Sequence, residues 1–260
     1  MPARTVKRRP TRRKRNYTRK RKPTSVKPSA TFSKKVMKVV HKAAETKCAN
    51  PSIFRENPIK AALSDNLTQC IPMMPIIAQG AGQGDRIGNQ VTTRRAYLLL
   101  NLWLYQITTS ANADPPKFVD IYIYKYKPSN SQTAIDLRQF LQYGNLSVDY
   151  DQDVLPESGL LNVNNDAFTL KRHMRKQLWN PNDTNTYAMA NRNVQNGMSM
   201  KIDVTNCFKN KLDYNDATAN VVTNDNLYVS VVFTNSDTQL AGTASYGEFS
   251  ATTLYKYDDL

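Results

Sequence analysis

Hydrophobic and polar residues alternate with a period of two along several stretches of this 260-residue chain. Such alternation is typical of β-strands that bury one face, because successive side chains in a strand point to opposite sides. The runs with this pattern are Val91–Ile107, Phe118–Lys127, Phe168–Leu178, Gly197–Cys207, Asn226–Thr234 and Ser245–Tyr257. With a further apolar stretch at Thr68–Ala78, they predict about eight strands and little helix. The expected fold class is therefore all-β, an antiparallel sandwich or barrel.

The first long run, Val91–Ile107, carries apolar residues on both of its faces. Leucine occupies every even position from Leu98 to Leu104, and Leu99 and Trp103 cover part of the opposite face. A strand with two apolar faces is buried on both sides. We therefore expect it to lie inside a sandwich or against a neighbouring subunit.

The second long run, Phe118–Lys127, places tyrosines opposite its Val and Ile positions. Tyr122, Tyr124 and Tyr126 share one face of the predicted strand. We interpret this row as a second packed face of the sheet. The alternative is a platform on which nucleic-acid bases stack.

Proline and glycine mark the irregular parts of the body. Pro72 and Pro75 interrupt Thr68–Ala78, which favours an edge strand or an irregular one, because proline cannot donate to a β-ladder. The segment that follows, Gln79–Val91, holds four glycines and predicts a tight loop with positive φ. The other segments predicted to be loops or connections are the stretch around Pro51 and Pro58, Asn145–Asn165 and Asn180–Asn196.

Two segments have the spacing of a short helix. Asp136–Tyr143 is predicted to be helical and to end at Gly144. Thr31–Lys47 places apolar residues at helical spacing with lysines between them, which predicts a basic amphipathic helix. Such a helix suits a surface that faces nucleic acid or a membrane, or one that docks onto the body.

Charge divides the chain into two domains at residue 42. The sequence has 36 Lys and Arg and 21 Asp and Glu; residues 1–42 contain 17 of the basic residues and none of the acidic ones. This leaves 19 basic against 21 acidic residues in 43–260, so the body is nearly neutral. The basic residues of the N-terminal arm, defined as residues 1–42, are Arg4, Lys7, Arg8, Arg9, Arg12, Arg13, Lys14, Arg15, Arg19, Lys20, Arg21, Lys22, Lys27, Lys34, Lys35, Lys38 and Lys42.

A polycationic arm on a neutral body predicts binding to nucleic acid through phosphates. Counterion release drives such binding, which is largely indifferent to sequence and weakens with salt. Like charges, four prolines and little apolar surface predict that the arm is disordered alone. Its basic clusters also fit nuclear localisation signals, and a tail used only for solubility or nuclear import is the alternative.

The body has one basic strand candidate of its own. Lys171, Arg172, Arg175 and Lys176 lie close together in Phe168–Leu178. We predict that these four side chains extend the phosphate-binding surface of the arm. A solvated or subunit-contacting face is the alternative interpretation.

The sequence offers no constellation for catalysis, a cofactor or a metal. The glycine run has neither the spacing of a dinucleotide-binding fold nor that of a P-loop. His41 and His173 lie in basic surroundings, which suit neither a general base nor a metal ligand, and the three cysteines lack zinc spacing. We therefore expect a non-enzyme with reduced structural thiols and no membrane partner, since no apolar run is long enough to span a bilayer. A calcium site at Asp149, Asp151 and Asp153 is a minor alternative.

The basic arm, the glycine-rich loop and the long apolar strand after it together resemble the capsid proteins of circovirus-like viruses with circular single-stranded DNA genomes. The residues that carry this resemblance are Gly82, Gly84, Arg86, Ile87, Gly88 and Asn89. The resemblance implies an eight-stranded jelly roll, a small T=1 icosahedral shell of identical subunits and packaging of a single-stranded DNA genome. The loop around Arg86 is then structural or subunit-contacting.

The expected function is that of a capsid protein, found in the virion and in the host nucleus during assembly. Expected partners are the DNA genome, identical subunits, host nuclear import machinery and an unidentified host attachment factor, with Asn180–Asn196 as the surface loop. The alternative is a nucleic-acid-binding shuttle or chaperone that enters nuclei without forming shells.

Overall fold

The computed structural model describes residues 31, 35–36, 46–60, 69–104, 117–127, 137–143, 146–147, 153–154, 160–178, 197–215, 220–235, 240–241 and 245–259. The chain divides into two units, Met1–Lys42 and Ala43–Leu260. The fold of the second unit is mostly β-sheet. Among the described residues, no helix is long and apolar enough to cross a membrane.

The strands of the second unit are numbered in chain order. They are β1 (Thr46–Cys48), β2 (Ser52–Lys60), β3 (Ile71–Pro72), β4 (Gln90–Leu104), β5 (Lys117–Tyr126), β6 (Leu141–Tyr143), β7 (Leu146–Ser147), β8 (Asp153–Val154), β9 (Asn162–Val163), β10 (Phe168–Leu178), β11 (Gly197–Asp203), β12 (Lys211–Asp213), β13 (Tyr228–Asn235), β14 (Leu240–Ala241) and β15 (Ser245–Asp259). Short 3₁₀ turns occur at Leu137–Gln139 and Thr205–Cys207.

Ten strands form one barrel-like sheet that is nearly closed. Its order is β10-β5-β13-β2-β15-β4-β11, with β1, β12 and β3 pairing alongside β15, β4 and β13. A single parallel bridge, Val232 to Lys60, joins β13 to β2. At the outer edges, Arg172 of β10 donates from Nη1 to the carbonyl oxygen of Asp203 on β11 over 3.1 Å. The two edge strands therefore approach each other.

On either side of the parallel bridge, every pairing of this sheet is antiparallel and the pairs are nested in chain order. β2 pairs with β15, β3 with β13, β4 with β11 and β5 with β10. The first strand of this set thus pairs with the last, the second with the second-last, and so on inward to β5 and β10. The sheet therefore has two antiparallel halves, β2-β15-β4-β11 and β3-β13-β5-β10.

The predicted long strands are confirmed, because their alternation matches burial. In β4, Leu98, Leu100, Leu102 and Leu104 are buried while Asn101 and Trp103 are exposed. The expectation that both faces of this strand are buried inside the body is therefore wrong, and burial of the second face against a neighbouring subunit stays a prediction. β10 has the bounds predicted from the sequence, and β11, β13 and β15 differ from theirs by a few residues. Residues 69–78, the described part of the predicted stretch Thr68–Ala78, are irregular as predicted, with Ile71–Pro72 their only strand.

The row of tyrosines on β5 forms a packed second face, so the base-stacking alternative is wrong for Tyr122 and Tyr124. Both rings are buried, and each lies against Phe140, with centroids 5.2 Å and 4.7 Å apart. Tyr124 also bonds through its hydroxyl to Ser230 Oγ at 2.9 Å and donates to Cys70 Sγ at 3.2 Å. Residues before β3 and β6 thus cover this side of β5.

Several expectations about short elements were wrong. Asp136–Tyr143 is not a helix, since Leu137–Gln139 is one 3₁₀ turn and β6 then pairs with β9. Burial of Phe140 against the tyrosines outweighs the local helical spacing. The predicted loop Asn145–Asn165 contains β7, β8 and β9, and the end of the predicted helix Thr31–Lys47 belongs to β1.

The stretch around Pro58, expected to be a connection, is the nine-residue strand β2. Its alternation is broken at Glu56, whose φ of 55° is left-handed, and the register with β15 shifts nearby. Asn57 is buried there and donates from Nδ2 to the Phe249 carbonyl oxygen over 3.2 Å. The irregularity hid the strand from a period-two pattern.

Candidate nucleic-acid interface

Most basic residues of the N-terminal arm lie outside the described residues. In this unit only Thr31, Lys35 and Val36 are described; they are helical and exposed. The remaining sixteen predicted phosphate-binding residues of the arm and His41 are not placed. The surface-loop candidate Asn180–Asn196 also lies outside the described ranges.

The structure separates the four cations predicted on β10. Lys171 and Arg172 are exposed, whereas Arg175 and Lys176 are partly buried. A register irregularity between Leu170 and Arg172 interrupts the pairing with β5 at Lys171. These four side chains therefore do not form one uniform basic face.

Arg175 points to a buried carboxylate of the neighbouring strand. Its Nε lies 3.4 Å from Oδ2 of Asp120, and its guanidinium lies over the Phe118 ring at 4.8 Å. His173 Nε2 lies 2.8 Å from the other oxygen of Asp120, and its ring stacks on Tyr122 at 4.4 Å. Because a buried carboxylate requires compensating donors, Arg175 and His173 stabilise Asp120 inside the body.

Three lysines that sequence reasoning did not single out line a surface cavity. The cavity has a volume of about 430 Å³ and lies where β5 ends and β10 and β13 begin. The lysines are Lys125, Lys127 and Lys209, and Asp225 lies among them. Lys209 is distant in the sequence from Lys125 and Lys127 and meets them only in the folded chain, so no local pattern could have found this site.

The exposed cations of β10 lie near this cavity. The thiol of Cys207 has a pKa raised chiefly by burial, and the positive charges of Arg172, Lys171 and Lys125 partly oppose that rise. These three cations are therefore close enough to the Cys207 thiol to act on it electrostatically. We define the basic cluster as Lys125, Lys127, Lys171, Arg172 and Lys209.

The glycine-rich loop holds a fully buried arginine. Arg86 has no exposed surface, and its guanidinium donates to the carbonyl oxygens of Ile77 at 3.2 Å, Gly88 at 2.6 Å and Asn215 at 3.3 Å. It also donates to Asn89 Oδ1 at 3.0 Å and lies 4.9 Å from the Tyr214 ring centroid. Its donors are thus directed to groups of this chain.

The glycines of this loop make room for a carboxylate rather than for an unusual backbone. A Cβ at Gly80 would lie 2.5 Å from Oδ2 of Asp85, and one at Gly82 would lie 2.7 Å from it. Asp85 Oδ2 accepts a hydrogen bond from the backbone N–H of Gly82 over 3.0 Å. The φ of Gly80, Gly82 and Gly84 is not positive, so that prediction was wrong for these three.

Of two acidic residues at the end of β15, Asp259 joins this loop to β1, and Asp258 joins β1 to β4. Asp259 Oδ2 accepts from Lys47 Nζ at 3.2 Å and from the backbone N–H of Ile87 at 2.7 Å. Asp258 is buried, and its carboxylate bonds to Thr46 Oγ1 and Arg94 Nε, each at 2.9 Å. The loop is therefore a fixed corner, with the side chain of Ile87 70% exposed at its tip.

The structure also describes the three cysteines and part of the possible calcium site. All three cysteines are free, and burial raises the pKa of Cys70 to about 11. Within the described part of the chain, no group of three His, Cys, Asp or Glu is arranged to hold a metal. Asp149 and Asp151 of the possible calcium site lie outside that part.

No protein-family model matches this sequence, and no curated protein matches it. The assignment of a function therefore depends on the residues and geometry described above.

Proposed function

We propose that this chain is a capsid subunit that assembles into a small icosahedral shell and packages single-stranded DNA through its N-terminal arm. The observation that carries the proposal is the nested strand pairing of a nearly neutral body preceded by 17 cations in 42 residues. The body builds the shell and the arm binds phosphate.

The nested order supports a jelly roll. A long antiparallel hairpin that folds over itself pairs its first strand with its last and its inner strands in turn, as β2, β3, β4 and β5 pair with β15, β13, β11 and β10. We take the two antiparallel halves as the two four-stranded sheets of such a fold. Viral shells commonly use this arrangement.

Exposed apolar side chains on the body support subunit contacts. The large ones are Ile53, Ile76, Ile87, Trp103, Leu160, Leu170 and Val221, each at least 38% exposed. Apolar surface of this kind is typical of protein interfaces. In a closed shell these side chains lie between neighbouring subunits.

The arm supports packaging without sequence recognition. If each cation neutralises one phosphate, one arm compensates on the order of 17 nucleotides. Backbone contacts of this type carry no sequence information. The genome is therefore held by charge, and the affinity of the arm for single-stranded DNA decreases steeply as the salt concentration rises.

Electron microscopy of the purified full chain, with its ratio of absorbance at nucleic-acid and protein wavelengths, tests the proposal. We expect uniform closed particles that contain nucleic acid. Only small species at several salt concentrations, with single-stranded DNA supplied, would refute the capsid function and favour a nuclear shuttle or chaperone.

A second experiment tests the division between arm and body. Replacing the 17 basic residues of the arm with glutamine should weaken binding to single-stranded DNA by at least about 10³-fold near 0.1 M salt, because the counterion release is lost. A matched control with the arm residues in scrambled order should bind as the wild type does. Equal affinity of the neutralised variant would contradict the role of the arm.

A further inference from the structure

The cavity at the end of β5 combines three ammonium groups with several hydroxyl and amide groups. Lys125, Lys127 and Lys209 line it together with Thr169, Thr223, Asn224, Asp225, Asn226 and Tyr126. Its volume of about 430 Å³ lies in the range of small-molecule sites. The walls come from β5, β10, the segment before β13 and Lys209 before β12. The backbone N–H of Lys209 donates to the Asp225 carboxylate over 2.8 Å, which joins two of these segments.

Among the residues that line this cavity, positive charges outnumber negative ones. Asp225 is the one carboxylate among its lining residues, and its Oδ1 lies 2.5 Å from Lys125 Nζ. The same carboxylate accepts from the backbone N–H groups of Asn226 at 3.0 Å and Lys209 at 2.8 Å. Lys125 and Asp225 thus neutralise each other.

The two other ammonium groups bond to neutral oxygens. Lys127 Nζ donates to the Asn165 carbonyl oxygen over 2.5 Å, and Lys209 Nζ donates to the Asn224 carbonyl oxygen. An ammonium group has three N–H donors, so each lysine retains donors for a ligand. Two uncompensated positive charges therefore line one cavity.

We propose that this cavity binds a phosphate group, held by Lys127 and Lys209 and oriented by the Thr169 hydroxyl. Charge-assisted hydrogen bonds from two ammonium groups suit the phosphate oxygens. Lys171 and Arg172 follow Thr169 on β10 and are exposed.

The source of the phosphate follows from the proposed function, on which this part of the inference rests. If the chain packages single-stranded DNA, the cavity holds one backbone phosphate of that strand. A free phosphate ion or a mononucleotide would present the same phosphate group to the lysines. The binding experiment must therefore compare these sources.

Calorimetric titration of the full-length chain tests the site in about 0.3 M sodium chloride, where the Debye length lies between about 3 and 10 Å and binding to the arm is weakened. The ligands are inorganic phosphate, thymidine monophosphate, the trinucleotide pTpTpT and thymidine without phosphate. We expect saturable binding of one thymidine monophosphate per chain and none of thymidine.

The Lys127→Gln/Lys209→Gln variant should bind thymidine monophosphate at least about tenfold more weakly, because two charged hydrogen bonds are lost. Lys127→Arg/Lys209→Arg keeps both charges and should retain binding, which separates loss of charge from misfolding. Lys211→Gln/Lys256→Gln, an equal change of charge at exposed sites outside the cavity, should bind within about twofold of wild type. Equal affinity of the Lys127→Gln/Lys209→Gln variant and wild type would overturn the proposal.

The three phosphate ligands identify the source. Tighter binding of pTpTpT than of the mononucleotide supports a nucleic-acid backbone, whereas inorganic phosphate binding as tightly as both would overturn that part. The calorimetric titration does not measure particle formation. A failure of this site therefore leaves the capsid proposal standing, and the site stands if no particles form.

Discussion

The glycine-rich loop and the basic cluster both carry positive charge, but the structure uses that charge in opposite ways. Arg86 in the loop is fully buried, and its guanidinium donates to four oxygen atoms of this chain. In the basic cluster, Lys127 and Lys209 are exposed and each bonds to one backbone carbonyl. The protein thus accepts four hydrogen bonds from Arg86, whereas it accepts one from each of the two ammonium groups.

This difference shows that burial, and not the number of basic residues, decides which cations are available to a ligand. A buried guanidinium is costly to desolvate and must satisfy its donors internally. An exposed ammonium keeps part of its hydration and exchanges it easily for a phosphate oxygen. Arg86 is therefore a structural residue in our interpretation, whereas the basic cluster is available for binding.

The largest expected effect is on the stability of the loop corner. Arg86→Ala removes the donors to three backbone carbonyls and leaves a cavity beside Tyr214, so we expect a loss of about 3–5 kcal/mol in the free energy of unfolding. Denaturant titration followed by fluorescence measures this loss. DNA binding by the folded fraction should not change.

Arg95→Ala is the matched control, because Arg95 is exposed on β4 and its Nη1 donates to the Tyr97 hydroxyl over 3.3 Å. Its free energy of unfolding should stay within about 0.5 kcal/mol of wild type. A similar small effect of Arg86→Ala would contradict the structural role of Arg86 and remove the contrast between the two regions.

The next effect concerns Arg175 of β10, which is partly buried and, like Arg86, is directed to a group of this chain. Asp120→Asn and Arg175→Gln should each lower the free energy of unfolding by about 1–3 kcal/mol, because each removes one side of the ion pair between Arg175 and the buried Asp120. The double variant should show a coupling of at least about 0.5 kcal/mol.

Asp120→Asn combined with Lys171→Gln is the control pair, since Lys171 is exposed and lies on β10, as Arg175 does. These two changes should be additive in chemical denaturation. Additive effects for Asp120 and Arg175 as well would show that the ion pair contributes no stability.

Sequence patterns predicted the long strands because burial follows a period of two in them. Leu98 to Leu104 in β4 alternate with exposed residues, so local spacing carried the signal. The pattern failed in β2, where Glu56 has left-handed φ and Pro58 lies inside the strand. It also failed around Phe140, because contacts with Tyr122 and Tyr124 from another strand determine the local backbone there.

The candidate site was predicted less well than the fold. The cations of β10 were identified by their spacing, but nothing local distinguishes exposed Lys171 from Arg175 beside Asp120. Lys127 and Lys209 lie far apart in the sequence and line one cavity only in the folded chain. Chemistry that depends on long-range register is not encoded in any short segment.

The smallest expected effect tests the exposed cations of the basic cluster. Lys171→Gln/Arg172→Gln should change the free energy of unfolding by no more than about 0.5 kcal/mol, because both side chains are exposed. Its binding effect is best measured in the variant whose arm residues are replaced by glutamine. There, the logarithm of affinity for single-stranded DNA plotted against the logarithm of salt concentration should lose about 1.4 from its slope, which corresponds to two phosphate contacts.

Arg175→Gln in the same background is the control for that slope. Because Arg175 is directed to Asp120, its replacement should lower stability and leave the salt dependence of DNA binding unchanged. An equal loss of slope in both variants would mean that Arg175 also contacts phosphate. Burial would then not separate structural cations from binding ones.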